Sequence, residues 1–156
     1  MTTILTRPFH VFLWAPAAEP VSHRYVTLAG RQVNAVLVPP QHAQQSRWLL
    51  TFDEALQALG PFPRMFIEPD GAFVWVGEHA GHAWQLDGNL VDGGDRLLHV
   101  ELKGTCPLAA LERLCAVLGG PNSLGWYQLA QAGVMLDSAE FFREMTEDHS
   151  RISEDR

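Results

Sequence analysis

The chain has 156 residues, of which 47% are hydrophobic and 19% are charged, and its formal net charge is −7 at pH 7. This is the composition of a globular protein with a full-sized core, not that of a disordered chain. Because the chain is acidic and its basic residues are scattered singly from Arg7 to Arg156, we expect neither nucleic-acid binding nor attraction to an anionic lipid surface.

Several features of the sequence favour a protein of the cytoplasm. Residues 1–13 lack the pattern of a signal peptide, and no apolar stretch reaches the ~18 residues of a membrane span. Two cysteines are too few for a disulfide framework in a chain of this size. Arginine outnumbers lysine ten to one, a bias typical of a GC-rich genome, and this favours a bacterial source.

Three strands and one helix are predicted before residue 61. Residues 8–14 carry apolar side chains on both faces of a strand, which favours a place inside a sheet or at an interface. Residues 25–28 and 32–38 flank a short turn and are expected to form a hairpin. Thr51 and Glu54 have the spacing of a capping box, so a helix is expected to begin after Thr51.

Residues 64–104 carry the clearest pattern in the chain. Turn signals, the strongest of them Asp70-Gly71, separate short runs of alternating apolar residues. The pattern predicts a four-stranded antiparallel meander, with strands at residues 65–68, 72–76, 83–87 and 96–103.

The remainder of the chain is predicted to be mainly helical. Residues 105–119 carry one apolar stripe at helical spacing, formed by Leu108, Leu111, Leu114, Cys115 and Leu118. A helix over residues 123–135 is also expected, although two glycines weaken it. Asp137 is expected to cap a last helix, with Glu140 three residues later, and residues 147–156 are expected to form a disordered polar tail.

Together these patterns predict one α+β domain over residues 1–146. Its largely antiparallel sheet contains the meander and the N-terminal strands. Helices, including the one at residues 105–119, are expected to pack on one face of that sheet.

His79 and His82 are the candidate metal ligands. They lie in a predicted hairpin loop, whereas the helical zinc motif places its histidines at i and i+4. A third ligand, such as Asp87 or Glu101, would be required. The alternative is a pair of solvent-facing imidazoles, and we expect no metal or other cofactor.

The candidate catalytic residues are Cys106, His99 and Glu101. Cys106 is expected at the N-terminus of a helix, where the helix dipole favours the thiolate. A histidine beside it would make it a nucleophile, but nothing in the sequence brings one there. The alternative is a small buried residue, as expected for Cys115. The glycine motifs of dinucleotide, P-loop and serine-hydrolase sites are absent from the sequence.

The predicted sheet suggests a binding surface on its second face. If Val74, Val76 and Trp84 face the helices, a mixture of aromatic and polar side chains remains on the other side. That mixture suits recognition, although a second layer of helices could equally cover it. The predicted binding residues are Phe73, Trp75, Gln85, His99 and Glu101.

The sequence therefore favours a non-enzymatic binding or regulatory protein that acts through a sheet face or a homodimer contact. The expected partner is another protein, a second copy of the chain or a small molecule. The alternative is a small hydrolase or metal-dependent enzyme that uses His79, His82, His99, Glu101 or Cys106.

Overall fold

A computed structural model describes residues 5–15, 22–37, 46–119 and 125–146. These residues form nine strands and three helices. In chain order they are β1 (Phe9–Trp14), β2 (Ser22–Leu28), β3 (Arg31–Leu37), α1 (Phe52–Leu59), β4 (Met65–Ile67), β5 (Ala72–His79), β6 (His82–Asp92), β7 (Leu97–Gly104), α2 (Leu108–Gly119), β8 (Trp126–Leu129), β9 (Met135–Asp137) and α3 (Ser138–Thr146).

Seven of the strands form one sheet in the order β4-β5-β6-β7-β1-β8-β9, and β2 and β3 form a separate hairpin. Every pair of neighbours in both sheets is antiparallel. This confirms the predicted α+β class and the largely antiparallel sheet. Among the described residues, no helix combines the length and the apolar character needed to cross a membrane.

The core lies between the helices and one face of the main sheet. In β1, alternate residues from Phe9 to Leu13 are buried, whereas His10, Phe12 and Trp14 are only half-buried. The stripe of α2 is buried at Leu111, Leu114, Cys115 and Leu118, as its spacing predicted. The half-buried residues of β1 point to the opposite face of the sheet, which we call the second face.

Local capping signals are confirmed at two helices. The Glu54 N–H donates to Thr51 Oγ1 at 3.1 Å, and the Thr51 N–H donates back to Glu54 Oε1 at 3.1 Å. At α3 the Glu140 N–H donates to Asp137 Oδ1 at 2.9 Å. Each bond satisfies an amide at the start of its helix, where the helix itself supplies no acceptor. The tail predicted at residues 147–156 lies outside the described residues.

The helix predicted over residues 123–135 is wrong where the structure describes it. Trp126–Leu129 is strand β8 and pairs with β1, which places the buried Tyr127 opposite Leu13. Gly125 and Gly133 adopt left-handed conformations, with φ of +71° and +67°. A right-handed helix cannot pass through such residues, and aromatic side chains favour a strand between them.

The hairpin of β5 and β6 is longer than the sequence predicted. Ala80 and Gly81, with φ of +51° and +81°, form a two-residue turn, so that pairing begins at His79 and His82. Positive φ at both turn residues matches the right-handed twist of the strands. Pairing of β6 also continues to Asp92, which shortens the loop predicted at residues 88–95.

Candidate functional site

The structure places Phe73 and Trp75 in the core, 3% and 4% exposed. Trp75 is the cross-strand partner of Leu86, and such partners share a face of the sheet. The Trp75 Nε1–H also donates to the Pro63 carbonyl at 3.0 Å. The prediction that Phe73 and Trp75 share a face with Gln85, His99 and Glu101 is therefore wrong, because the register of β5 against β6 is opposite to the one assumed.

Gln85, His99 and Glu101 do lie on the second face. Gln85 is exposed and pairs with Val76, and its side-chain amide donates to Asp87 Oδ1 at 2.8 Å. His99 and Glu101 lie on β7 opposite two aromatic residues of β1. The aromatic residues of this region of the second face thus come from β1, not from β5.

Sequence reasoning missed the β1 side chains His10, Phe12 and Trp14, together with Gln128 of β8. The signal that could have found them was the apolar character of both faces of β1, but the sequence does not show that β1 pairs with β7. We name as the aromatic patch the side chains of His10, Phe12, Trp14, His99, Glu101 and Gln128.

The rings of the aromatic patch form a continuous row across β1 and β7. The centroids of Trp14 and His99 are 4.5 Å apart, and those of Phe12 and His99 are 5.5 Å apart in an edge-on arrangement. His10 follows at 5.6 Å from Phe12. The row ends at β8, where Trp126, the cross-strand partner of Trp14, is buried.

Two hydrogen bonds fix the orientation of these rings. The Trp14 Nε1–H donates to Gln128 Oε1 at 2.9 Å. His10 Nε2 donates to Glu101 Oε2 at 2.7 Å, and these two side chains are 33% and 36% exposed. Because the rings are held before any partner arrives, little side-chain entropy remains to be lost on binding.

His99 belongs to the patch as a neutral ring. Burial lowers the pKa of His99 below its ordinary value of 6.5, and the Glu101 carboxylate only partly opposes this effect. Its Nδ1 is buried and has no hydrogen-bond partner among the described residues. A charge on this imidazole would be poorly solvated, so at neutral pH it presents an aromatic surface.

The charge within the aromatic patch is the carboxylate of Glu101. By the strand register, Asp87 and Lys103 face each other beside it on β6 and β7, and Glu78 lies farther away, paired with Ala83 beyond the end of β7. Glu78, Asp87 and Lys103 are exposed. This part of the face therefore favours cationic groups on whatever contacts it.

His79 and His82 are brought together, but no third ligand joins them within the described ranges. They face each other at the base of the β5–β6 turn. Asp87 lies farther along β6 opposite Val74, and Glu101 belongs to the aromatic patch. Across the described residues, no group of three or more His, Cys, Asp or Glu side chains is arranged to hold a metal ion.

Cys106 lies in the core, before the first residue of α2. Its N–H donates to Thr6 Oγ1 at 3.3 Å, and burial raises the pKa of its thiol to about 12. The prediction that the helix dipole would favour a thiolate here is wrong, because the lost solvation of the charge outweighs it. Cys115 is a core residue, as predicted, and its Sγ lies 3.0 Å from the Tyr127 hydroxyl.

The chain matches no protein-family model, and neither a curated protein nor a solved structure matches it. No relative therefore assigns a role to any residue of the aromatic patch.

Proposed function

We propose that the protein is a non-enzymatic binding module whose aromatic patch takes a basic segment of another protein. The observation that carries this proposal is the row of oriented rings beside the Glu101 carboxylate, on the sheet face turned away from the helices. This function is the one expected from the sequence. The aromatic residues assigned to it, however, belong to β1 and not to β5.

The properties of the patch are those of a protein-binding surface. Trp14 supplies a large, rigid contact area with a single N–H, and that N–H is already bonded to Gln128. Aromatic side chains of this kind are enriched among the residues that dominate binding energies. Half-buried rings, with polar groups beside them, can lose their remaining solvent contact when a partner arrives.

Charge decides between the possible protein partners. A guanidinium or ammonium group can pair with the Glu101 carboxylate and lie against an aromatic ring of the patch. A second copy of the chain would instead bring the same acidic face, within a protein of net charge −7. A basic partner therefore fits the aromatic patch better than a homodimer contact does.

The enzyme alternative receives less support from the arrangement of its candidate residues. A catalytic site needs its groups to converge on one reacting atom. Cys106 is a protonated core thiol, and His79 and His82 lie at a hairpin turn. His99 and Glu101 lie in the aromatic patch, with His99 held among rings.

Two further expectations are retained as part of this proposal. The cytoplasm is the inferred location, and both cysteines are free, as is usual in a reducing compartment. A bacterial source is inferred from the arginine bias of the composition.

A peptide selection tests the proposal while the partner is still unidentified. A random peptide library displayed on phage is selected on the immobilised protein, and the enriched peptides are synthesised. We expect Arg or Lys next to an apolar residue in these peptides. Their affinity should fall about tenfold or more with Trp14→Ala, the effect of losing a dominant contact.

Two other variants sharpen the test. Glu101→Gln removes one charge with little change of shape and should weaken binding, whereas Tyr25→Ala removes an exposed aromatic residue of β2 and should not. Peptides without basic residues, or equal binding to Trp14→Ala, would contradict the proposal. A dimer in sedimentation that Trp14→Ala dissociates would replace the basic partner with a second copy.

A further inference from the structure

A cleft of about 860 Å³ opens between one end of the main sheet and the tip of the β2–β3 hairpin. The start of β1, the β8–β9 turn and the end of α3 complete its walls. Clefts of this volume commonly hold small molecules. Its lining includes the apolar residues Pro8, Phe9, Leu28, Leu129 and Met145.

The polar part of the lining is built around Glu144 at the end of α3. Arg31 Nη2 donates to the Glu144 carboxylate at 2.7 Å, and the two side chains are 14% and 8% exposed. Arg7 donates to the Glu144 main-chain carbonyl instead, from Nε at 3.3 Å and from Nη2 at 2.9 Å. The charge of Glu144 is thus met by Arg31, not by Arg7.

Arg7 consequently keeps a positive charge that no carboxylate among the described residues balances. The carbonyl that it contacts has no formal charge, and a helix C-terminus carries only about half of a negative charge. Both of its bonds to Glu144 use the edge of the guanidinium formed by Nε and Nη2. The edge formed by Nη1 and Nη2 has no partner in the described part of the chain.

The positive charges of the cleft favour a ligand that carries a carboxylate. A carboxylate can accept two parallel hydrogen bonds from the Nη1–Nη2 edge of an arginine. Lys103 also lines the cleft. The charged residues of the lining are therefore three cations, Arg7, Arg31 and Lys103, and one anion, Glu144. The apolar walls favour a hydrocarbon body behind the charged group.

We infer that the cleft binds a small molecule with an apolar body and one carboxylate, which pairs with Arg7. This site adjoins the surface proposed for a basic protein segment, because His10 belongs to both, but Phe12, Trp14 and His99 are not part of its lining. The two proposals can therefore fail independently.

Calorimetric titrations with three eight-carbon compounds test the inference. Octanoate should bind at least about tenfold more tightly than 1-octanol, because an ionised acceptor makes the stronger bond to a guanidinium. Octylamine, which carries the opposite charge, should bind more weakly than either. Equal affinity for octanoate and octanol would overturn the inference. So would an affinity for inorganic phosphate as high as that for octanoate.

Variants of the cleft separate ligand binding from the structural contact of Arg7 with α3. Arg7→Lys keeps the charge but removes the pair of parallel N–H donors, and should lower octanoate affinity several-fold. Arg7→Met should remove the preference for octanoate over octanol, whereas Arg24→Met, an exposed arginine outside the lining, should leave it unchanged.

A third variant keeps the test decisive if Arg7→Met does not fold. Ala132 is an exposed residue of the lining, so Ala132→Trp should fill the cleft and abolish octanoate binding without touching Arg7. Undiminished binding to Ala132→Trp would overturn the inference. Trp14→Ala should leave octanoate affinity unchanged, which distinguishes a failure here from a failure of the proposed function.

Discussion

The indole of Trp14 and the imidazole of His99 lie 4.5 Å apart, centroid to centroid, on the neighbouring strands β1 and β7. The pair joins two distant parts of the sequence in one register position of the main sheet. The packing of these rings also explains why His99 is a neutral ring of the aromatic patch, because burial removes the water that would solvate a charge on its imidazole.

The lowered pKa of His99 predicts a loss of stability in acid. The unfolded chain takes up a proton near pH 6.5, whereas the folded protein takes it up only at lower pH. The contribution of His99 is therefore fully present above pH 6.5 and is lost as the pH falls through the folded-state pKa.

Denaturant unfolding across this pH range checks the prediction. His99→Gln should lose less stability than the wild type on acidification, whereas His82→Gln, at an exposed position, should follow the wild type. Identical profiles for the wild type and His99→Gln would show that the pKa of His99 does not differ between the folded and unfolded states.

Trp75 should contribute to stability as a core residue. Trp75→Ala removes a buried indole and its hydrogen bond to Pro63, so the free energy of unfolding should fall by about 3–5 kcal/mol. Phe66→Ala, at an exposed aromatic residue of β4, is the matched control and should change it by less than about 1 kcal/mol. If chemical denaturation shows that Trp75→Ala lowers the free energy of unfolding only slightly, Trp75 is exposed and not a core residue.

The two thiols should be unreactive in the folded protein. Burial raises the pKa of Cys106 to about 12 and that of Cys115 to about 11, and the thiolate is the reactive form. With a disulfide reagent such as DTNB at mildly alkaline pH, we expect both thiols to react only after denaturant is added. Rapid labelling of Cys106 without denaturant would revive its role as a nucleophile.

Features decided within one turn of the chain could be predicted from the sequence. Thr51 and Glu54 cap α1 with side chains three residues apart, and Asp137 caps α3 in the same way. The stripe of α2 likewise follows from the period of one helix. Such signals do not depend on what packs against the helix.

Strand register could not be predicted, because it depends on contacts between distant residues. The ring of Phe73 lies over Gly88, and that of Trp84 lies over Gly77, so a Cβ at either glycine would overlap the ring. Each glycine makes room on the covered face for an aromatic residue of the neighbouring strand. The sequence shows these glycines but not which ring covers them.

The location of the candidate site could not be predicted for the same reason. Alternation along β7 places His99 and Glu101 on a second face, but their partners Trp14 and Phe12 come from a strand at the other end of the sequence. A meander predicts pairs of consecutive strands. The insertion of β1 between β7 and β8 is a non-local pairing that alternation cannot reveal.

The most direct test of the account follows the indole N–H signals of the five tryptophans by ¹⁵N nuclear magnetic resonance. A peptide selected on the wild-type protein is titrated in, and Trp14→Phe assigns the signal of Trp14. We predict that the Trp14 signal moves most, while that of Trp75, bonded to the Pro63 carbonyl in the core, stays in place. A saturating peptide that leaves the Trp14 signal unmoved would contradict the proposal that the aromatic patch is the binding surface.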